Sequence, residues 1–129
     1  MIGQQIPLIL VPRYTSYMGA GDYLSAPIDV TPYSEGSVTV WRGELLGGGP
    51  PPPSFKFYVQ VSTDAKAWTD WPLHVQGSND YVDPGTDATI LAPFPCDRRW
   101  IRARVVLGGG SSPAVSCWAA GFVVQRINR

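Results

Sequence analysis

The clearest signal along the chain is an alternation in residues 55–62. Phe55, Phe57, Val59 and Val61 alternate with Lys56, Tyr58, Gln60 and Ser62. A period of two makes one face of a β-strand apolar and leaves the other amphipathic. Ser62-Thr-Asp-Ala-Lys66 supplies a turn, and Ala67–Trp71 begins a partner strand that Pro72 limits. Shorter patterns predict strands at Ile6–Val11, Ser37–Arg42, Thr86–Leu91, Trp100–Leu107 and Ala114–Gln125. Leu24–Val30 reads as a further strand that Pro27 confines to a sheet edge. Tyr14 to Asp22 and Pro32 to Gly36 read as turns. Val115 to Val124 is apolar on both faces, which predicts a central strand covered on both sides.

Two loops punctuate this pattern. Gly47-Gly-Gly-Pro-Pro-Pro-Pro53 excludes helix and ladder and favours extended polyproline geometry. Gly108-Gly-Gly-Ser-Ser-Pro113 reads as the turn of a hairpin between the last two strands. In that register Cys117 faces Arg104 and Cys96 lies about eight residues further on, roughly 26 Å away at ~3.3 Å per residue. A disulfide needs Cα atoms within ~7 Å, so two free, buried thiols are expected. The whole pattern predicts an all-β single domain over residues 1–129, a two-layer antiparallel β-sandwich of about eight strands. Residues 1–12 would be an extended N-terminal arm or an edge strand. A jelly roll is one topology such a sandwich can take, and the pattern does not choose it.

Composition narrows the function. Gly (14) and Pro (13) together slightly exceed one residue in five and fall throughout the chain, which rules out long helices. Charged residues make up 16%, against ~25% for ordinary soluble domains. Ten basic side chains balance ten acidic ones, which argues against a basic nucleic-acid binder. Aromatics reach 12%, with five Trp, unlike a disordered chain. The start has no basic n-region, and Pro7 interrupts its short apolar run. Neither a signal peptide nor a spanning helix is expected, so the protein reads as made in the cytoplasm with no membrane partner.

No arrangement of residues suggests catalysis. His74 is the only histidine and has no recognisable partner for nucleophilic chemistry. The Gly-rich loops lack the Gly-Lys-Ser/Thr ending of a phosphate loop. Glu35 and Glu44 both sit in turn contexts, unlike the paired carboxylates of glycosidases. Asn79, Asp80, Asp83 and Asp87 form the densest acidic cluster, but their spacing matches no calcium loop and reads as turn chemistry. No Cys/His set offers zinc ligands. Catalytic, cofactor and metal sites are all expected to be absent.

Aromatics and arginines carry the remaining signal. Trp118 lies in the apolar last strand and reads as core. Arg102 and Arg104 share a strand face with Trp100, the combination a desolvated interface uses because guanidinium stacks and pairs bidentately. The residues expected to meet a partner are Ile6, Leu8, Leu10, Trp41, Pro51, Trp68, Trp71, Trp100, Arg102 and Arg104. Ile6–Val11 is the first candidate for strand addition to a partner sheet, and the Gly47–Pro53 loop the second.

Two resemblances follow from these motifs. Phe57-Tyr-Val-Gln-Val-Ser-Thr-Asp-Ala-Lys-Ala-Trp-Thr69 resembles a hairpin of galactose-binding-like and related carbohydrate-binding sandwiches. That likeness implies a sugar platform of Tyr58, Trp68 and Trp71. Most of the chain, including Ile6–Pro12, Val40–Gly43, the same hairpin and Trp100–Val106, resembles small virion structural proteins of tailed bacteriophages and prophages. That resemblance implies a non-enzymatic decoration or cement protein on the outer surface of an icosahedral capsid. Its partners would be the major capsid protein and further copies of itself, as a dimer or trimer, with no nucleic acid. A tail, neck or head-completion component of the virion is the remaining alternative.

Overall fold

A strand with one apolar face needs a second layer to cover it, and here the chain supplies both layers. The computed structural model describes residues 4–73 and 79–126, so His74 lies outside the described residues. Ten strands run in chain order: β1 (Gln5–Met18), β2 (Gly21–Leu24), β3 (Ile28–Asp29), β4 (Tyr33–Arg42) and β5 (Ser54–Ser62). They continue with β6 (Thr69–Asp70), β7 (Thr89–Ile90), β8 (Phe94–Pro95), β9 (Trp100–Gly108) and β10 (Ala114–Gln125). One sheet has the order β1-β10-β4-β7, with β8 also on β4. The other has the order β2-β9-β5-β6, with β3 also on β9. Every pairing is antiparallel. The alternation in β5 lands as predicted, with Phe55, Phe57, Val59 and Val61 buried in the core. No helix among the described residues is long and apolar enough to cross a membrane.

The connectivity is that of a jelly roll. Two strands are interrupted, one at Pro27 between β2 and β3 and one between β7 and β8. Counting each interrupted strand once leaves eight. The first then pairs with the last, the second with the seventh, the third with the sixth and the fourth with the fifth. This nesting is one long hairpin rolled into two layers. At the Pro27 break the Ser25 hydroxyl accepts the Ala103 N–H at 2.8 Å, replacing a ladder bond.

Two expectations change. The last two strands do not form a hairpin: β9 pairs with β5 and β2, whereas β10 pairs with β1 and β4 in the other sheet. The residues after Gly108 therefore cross between layers. The physical reason is that Ile101, Val105 and Leu107 of β9 and Val115, Cys117 and Val123 of β10 all point into one core. The loop thus joins strands that face each other rather than neighbours. The chain from Gly43 to Pro53 makes the opposite crossing, from β4 to β5, and the two crossings touch. Gly110 N–H donates to the Pro51 carbonyl at 2.6 Å, and the Ser111 hydroxyl donates to the Gly48 carbonyl at 3.0 Å.

The first strand is also longer than its apolar run, because it continues through the expected turn region by way of two bulges. One extra residue lies between the pairs Ile9–Ala120 and Val11–Ala119. A larger bulge sets Pro12, Arg13 and Tyr14 against Trp118 alone. From Gln5 onward the N-terminal segment is therefore an edge strand and no free arm. Leu8 and Leu10, expected at a partner, are core residues, and Ile6 packs half-buried against them.

β1 is still a sheet edge, but a blunted one. Gln125 N–H donates to the Gln4 carbonyl, so residues 4, 6 and 8 turn their backbone groups to β10. Gln5, Pro7 and Ile9 turn theirs outward, and Pro7 has no N–H to offer. At the far end the Tyr23 hydroxyl caps the outward Met18 carbonyl at 2.6 Å. Proline and bulges are devices that discourage edge-to-edge pairing. These features disfavour Ile6–Val11 as a site of strand addition.

The touching crossovers predict a sharp contrast between two glycines. Gly110 has φ of 65°, and a Cβ there would sit 2.3 Å from the Gly47 carbonyl oxygen. Gly48, in the other crossover, has nothing within 4 Å of such an atom. Gly110→Ala is expected to cost about 2 kcal/mol or more, a fall of ~6–10 °C in Tm by calorimetry. Gly48→Ala should leave Tm unchanged or slightly raised.

Candidate functional site

Each layer of a sandwich has an outward face, and the two faces here differ in kind. On the β2-β9-β5-β6 sheet the outward side chains satisfy one another. Arg102 donates to the Gln60 side chain at 2.8 Å, and Gln60 donates to Asp70 at 2.8 Å. Arg104 pairs with Asp22 at 2.8 Å and reaches Asp70 at 3.8 Å. The Arg102 guanidinium lies 4.1 Å from the centre of the Trp68 ring, and that of Arg104 lies 4.9 Å from the Tyr58 ring. Burial, with Arg104 next to it, lowers the Arg102 pKa. Arg99 pairs with Asp29 and covers Trp100. Arg102 and Arg104 do share their face with Trp100, but Arg102 Nε already donates to Gln60 and Arg104 already pairs with Asp22 and Asp70.

This closed network bears on the predicted sugar platform. The Trp68 and Tyr58 rings each carry a guanidinium, and Tyr81 tilts against Tyr58 at 5.7 Å. Trp71 packs against the core and donates its backbone N–H to the Val59 carbonyl. Asp83 of the acidic loop is held by Arg42 at 2.7 Å. No group of three or more metal-ligating side chains converges among the described residues.

The outward face of the β1-β10-β4-β7 sheet is different. Trp118 and Trp41 are direct cross-strand partners, and their rings stack at 6.4 Å and 20°. Trp118 therefore faces outward, contrary to the expectation of core. The covered side of β10 is the one with smaller residues, Val115, Cys117, Ala119 and Val123. β10 is central within its sheet, yet only one of its two apolar faces is covered. Along the open face, Ala120 pairs with Ile9 and Thr39, and Phe122 with Pro7 and Ser37. Thr39 in turn pairs with Ile90, which is 75% exposed. Ile9 and Phe122 are also exposed.

The larger β1 bulge shapes one end of this face. Thr15 Oγ1 donates to the Pro12 carbonyl at 2.6 Å and closes the bulge. Tyr14 is held at φ of 68° with its side chain 99% exposed, an uncommon conformation for a bulky residue. The Arg13 guanidinium lies 4.7 Å from the centre of the Trp118 ring. Arg13, Tyr14, Ser16, Trp41, Ser116 and Trp118 line a shallow hollow of about 510 Å³. A second hollow of about 470 Å³ adjoins it across Ser16 and Ser116, whose hydroxyls bond at 2.8 Å.

The ten predicted partner residues are thus not brought together. Trp41 lies on the open face, and Leu8 and Leu10 in the core, with Ile6 against it. Pro51 lies in a crossover, and Arg102, Arg104, Trp68 and Trp100 belong to the opposite face. Sequence reasoning missed Arg13, Tyr14, Trp118, Phe122, Ile9 and Ile90. One signal was present: on β10 the smaller side chains alternate with Trp118 and Phe122, and small residues suit the tightly packed side. Comparison with known proteins found no matching family model, no matching curated protein and no matching solved structure.

The two cysteines are free and buried. The expected separation holds on a different path, since the predicted hairpin is absent. Cys96 bonds Ser34 on one side of β4, and Cys117 pairs with Arg42 on the other, eight residues along, or roughly 26 Å. Burial pushes both thiols up to about 11. The native protein at pH 8 should therefore resist a disulfide reagent, whereas both thiols react in guanidinium. Rapid native modification would contradict this burial.

Proposed function

We propose that this chain is a non-enzymatic virion structural protein, a decoration or cement protein on the outside of an icosahedral phage capsid. It would bridge copies of the major capsid protein. The observation that carries the reading is the open, nearly uncharged face of Trp41, Trp118, Phe122, Ile9 and Ile90. Exposed apolar patches of this kind mark contact surfaces. Contact would then be made by the sheet face rather than by strand addition, since the β1 edge is blunted.

The size of the face favours a repeated contact. Rows from Ser116 to Val124 span about 26 Å, and four strands about 19 Å, giving an area on the order of 500 Å². A stable, stand-alone interface buries about 800 Å² per partner. One such face binds weakly. Many of them on a symmetric shell, or two or three joined in a dimer or trimer, gain avidity without new contacts. Binding only to the assembled lattice stabilises that lattice by mass action. The jelly roll itself does not decide the matter, because capsid and lectin domains share it.

The test is co-sedimentation of the purified protein with empty, expanded shells. The wild type should pellet with shells, and Trp118→Ala should weaken binding about thirtyfold, the scale of a Trp anchor. That variant should lose only about 1 kcal/mol of stability through the lost ring pair. Mass-spectrometric copy number in purified particles separates the alternatives. Hundreds of copies fit the shell, and about a dozen or fewer fit the neck or tail. Absence from particles, or binding to neutral oligosaccharides that Trp118→Ala abolishes, would overturn the proposal.

A further inference from the structure

We infer that the partner of this face presents a carboxylate, from an Asp or Glu beside an apolar side chain, to the guanidinium of Arg13. The inference rests on the face-docking reading above and specifies the chemistry of the surface that docks.

The bulge sets where Arg13 stands. Three residues of β1 bulge out opposite Trp118, Thr15 closes the bulge, and the guanidinium settles over the indole. Arg13, Trp118 and Trp41 therefore form one row across three neighbouring strands. A partner that covers the two indoles must also cover the guanidinium stacked on Trp118. Its water is then lost, and a buried charge is costly unless an opposite charge meets it.

This chain does not supply that charge. No carboxylate lies within ion-pair distance of Arg13 among the described residues, whereas Arg42 and Arg99 each have one and Arg104 has two. Glu35 shares the face but stands opposite Val124, six residues and roughly 20 Å along β10 from Trp118. Glu44 lines the adjoining hollow without an ion pair to Arg13. Cation–π contact leaves the guanidinium N–H donors free at its rim, and their fork matches a carboxylate bidentately. Tyr14, wholly exposed beside it, adds an aromatic contact of the type common at binding anchors. Charge complementarity thus selects an acidic group within an otherwise apolar partner surface.

The experiment measures shell binding by wild type, Arg13→Met and Arg13→Lys, with Tm recorded for each. Arg13 is solvent-exposed and loses only its contact with the Trp118 ring, so both variants should melt within a few degrees of wild type. Arg13→Met should weaken binding about a hundredfold, mainly through faster dissociation. Arg13→Lys should keep more affinity than Arg13→Met, because the charge remains although the fork is lost. Arg13→Lys also places an amine where a carbodiimide can join it to a touching carboxylate. The amide forms with loss of water, which the carbodiimide takes up as a urea. A cross-linked peptide pairing position 13 with a shell-subunit Asp or Glu is the expected product. If wild type does not bind shells, the docking reading itself fails. If it binds and Arg13→Met binds equally well, this inference alone is overturned. A cross-link to a second copy of this chain would overturn it too, assigning the face to self-association.

Discussion

Two backbone crossings hold this protein together. The chain passes between layers from β4 to β5 and again from β9 to β10, and the two passages lie against each other. Those four strands are the inner strands of the two sheets. Where the passages touch, a Cβ on Gly47 would lie 1.9 Å from the Ser112 carbonyl oxygen, and one on Gly109 would lie 2.2 Å from that of Pro52. Only glycine allows backbones to approach so closely. The high Gly and Pro content therefore has a structural address, since it lets the inner strands of both layers end at one joint.

That joint fixes how the layers face each other, and the fixed layers leave two outer surfaces with different fates. One is occupied by its own side chains. Its arginines are spent on Asp22, Asp70 and Gln60 and on the rings of Trp68 and Tyr58. The other leaves Trp41 and Trp118 half-buried and Phe122 exposed, with one guanidinium resting on Trp118. Both faces hold Arg beside Trp. The difference lies in whether carboxylates stand within reach, which depends on strand order and cannot be read from local sequence.

The legible and illegible parts of the chain divide along the same line. β5 could be read directly because Phe55, Phe57, Val59 and Val61 all face one core, and its partner face is polar. The break at Pro27 was equally plain, because a residue without an N–H interrupts a ladder. β10 was harder. Both of its faces are apolar, and periodicity does not say which of two apolar faces is covered, so Trp118 was assigned to the wrong side. The Gly108–Pro113 segment misled for another reason: a glycine-rich turn serves a hairpin and a crossover equally well. Arg13 and Tyr14 were hidden by a bulge, which changes side-chain direction without any change in residue character.

The nesting of the strands also has a consequence for how the chain comes to be folded. Gln5 pairs with Val124, so the first strand waits for a partner that is synthesised 119 residues later. Until then Leu8, Leu10 and Val11 have no layer to cover them. Such long-range pairing delays closure of this edge until the Val124 strand has been made, and it slows folding through the entropy of closing long loops. During that interval the unpaired apolar strand is open to association with other chains. Pro7 and the two bulges, which blunt this edge in the finished domain, also discourage strand pairing over the period when the edge is most exposed.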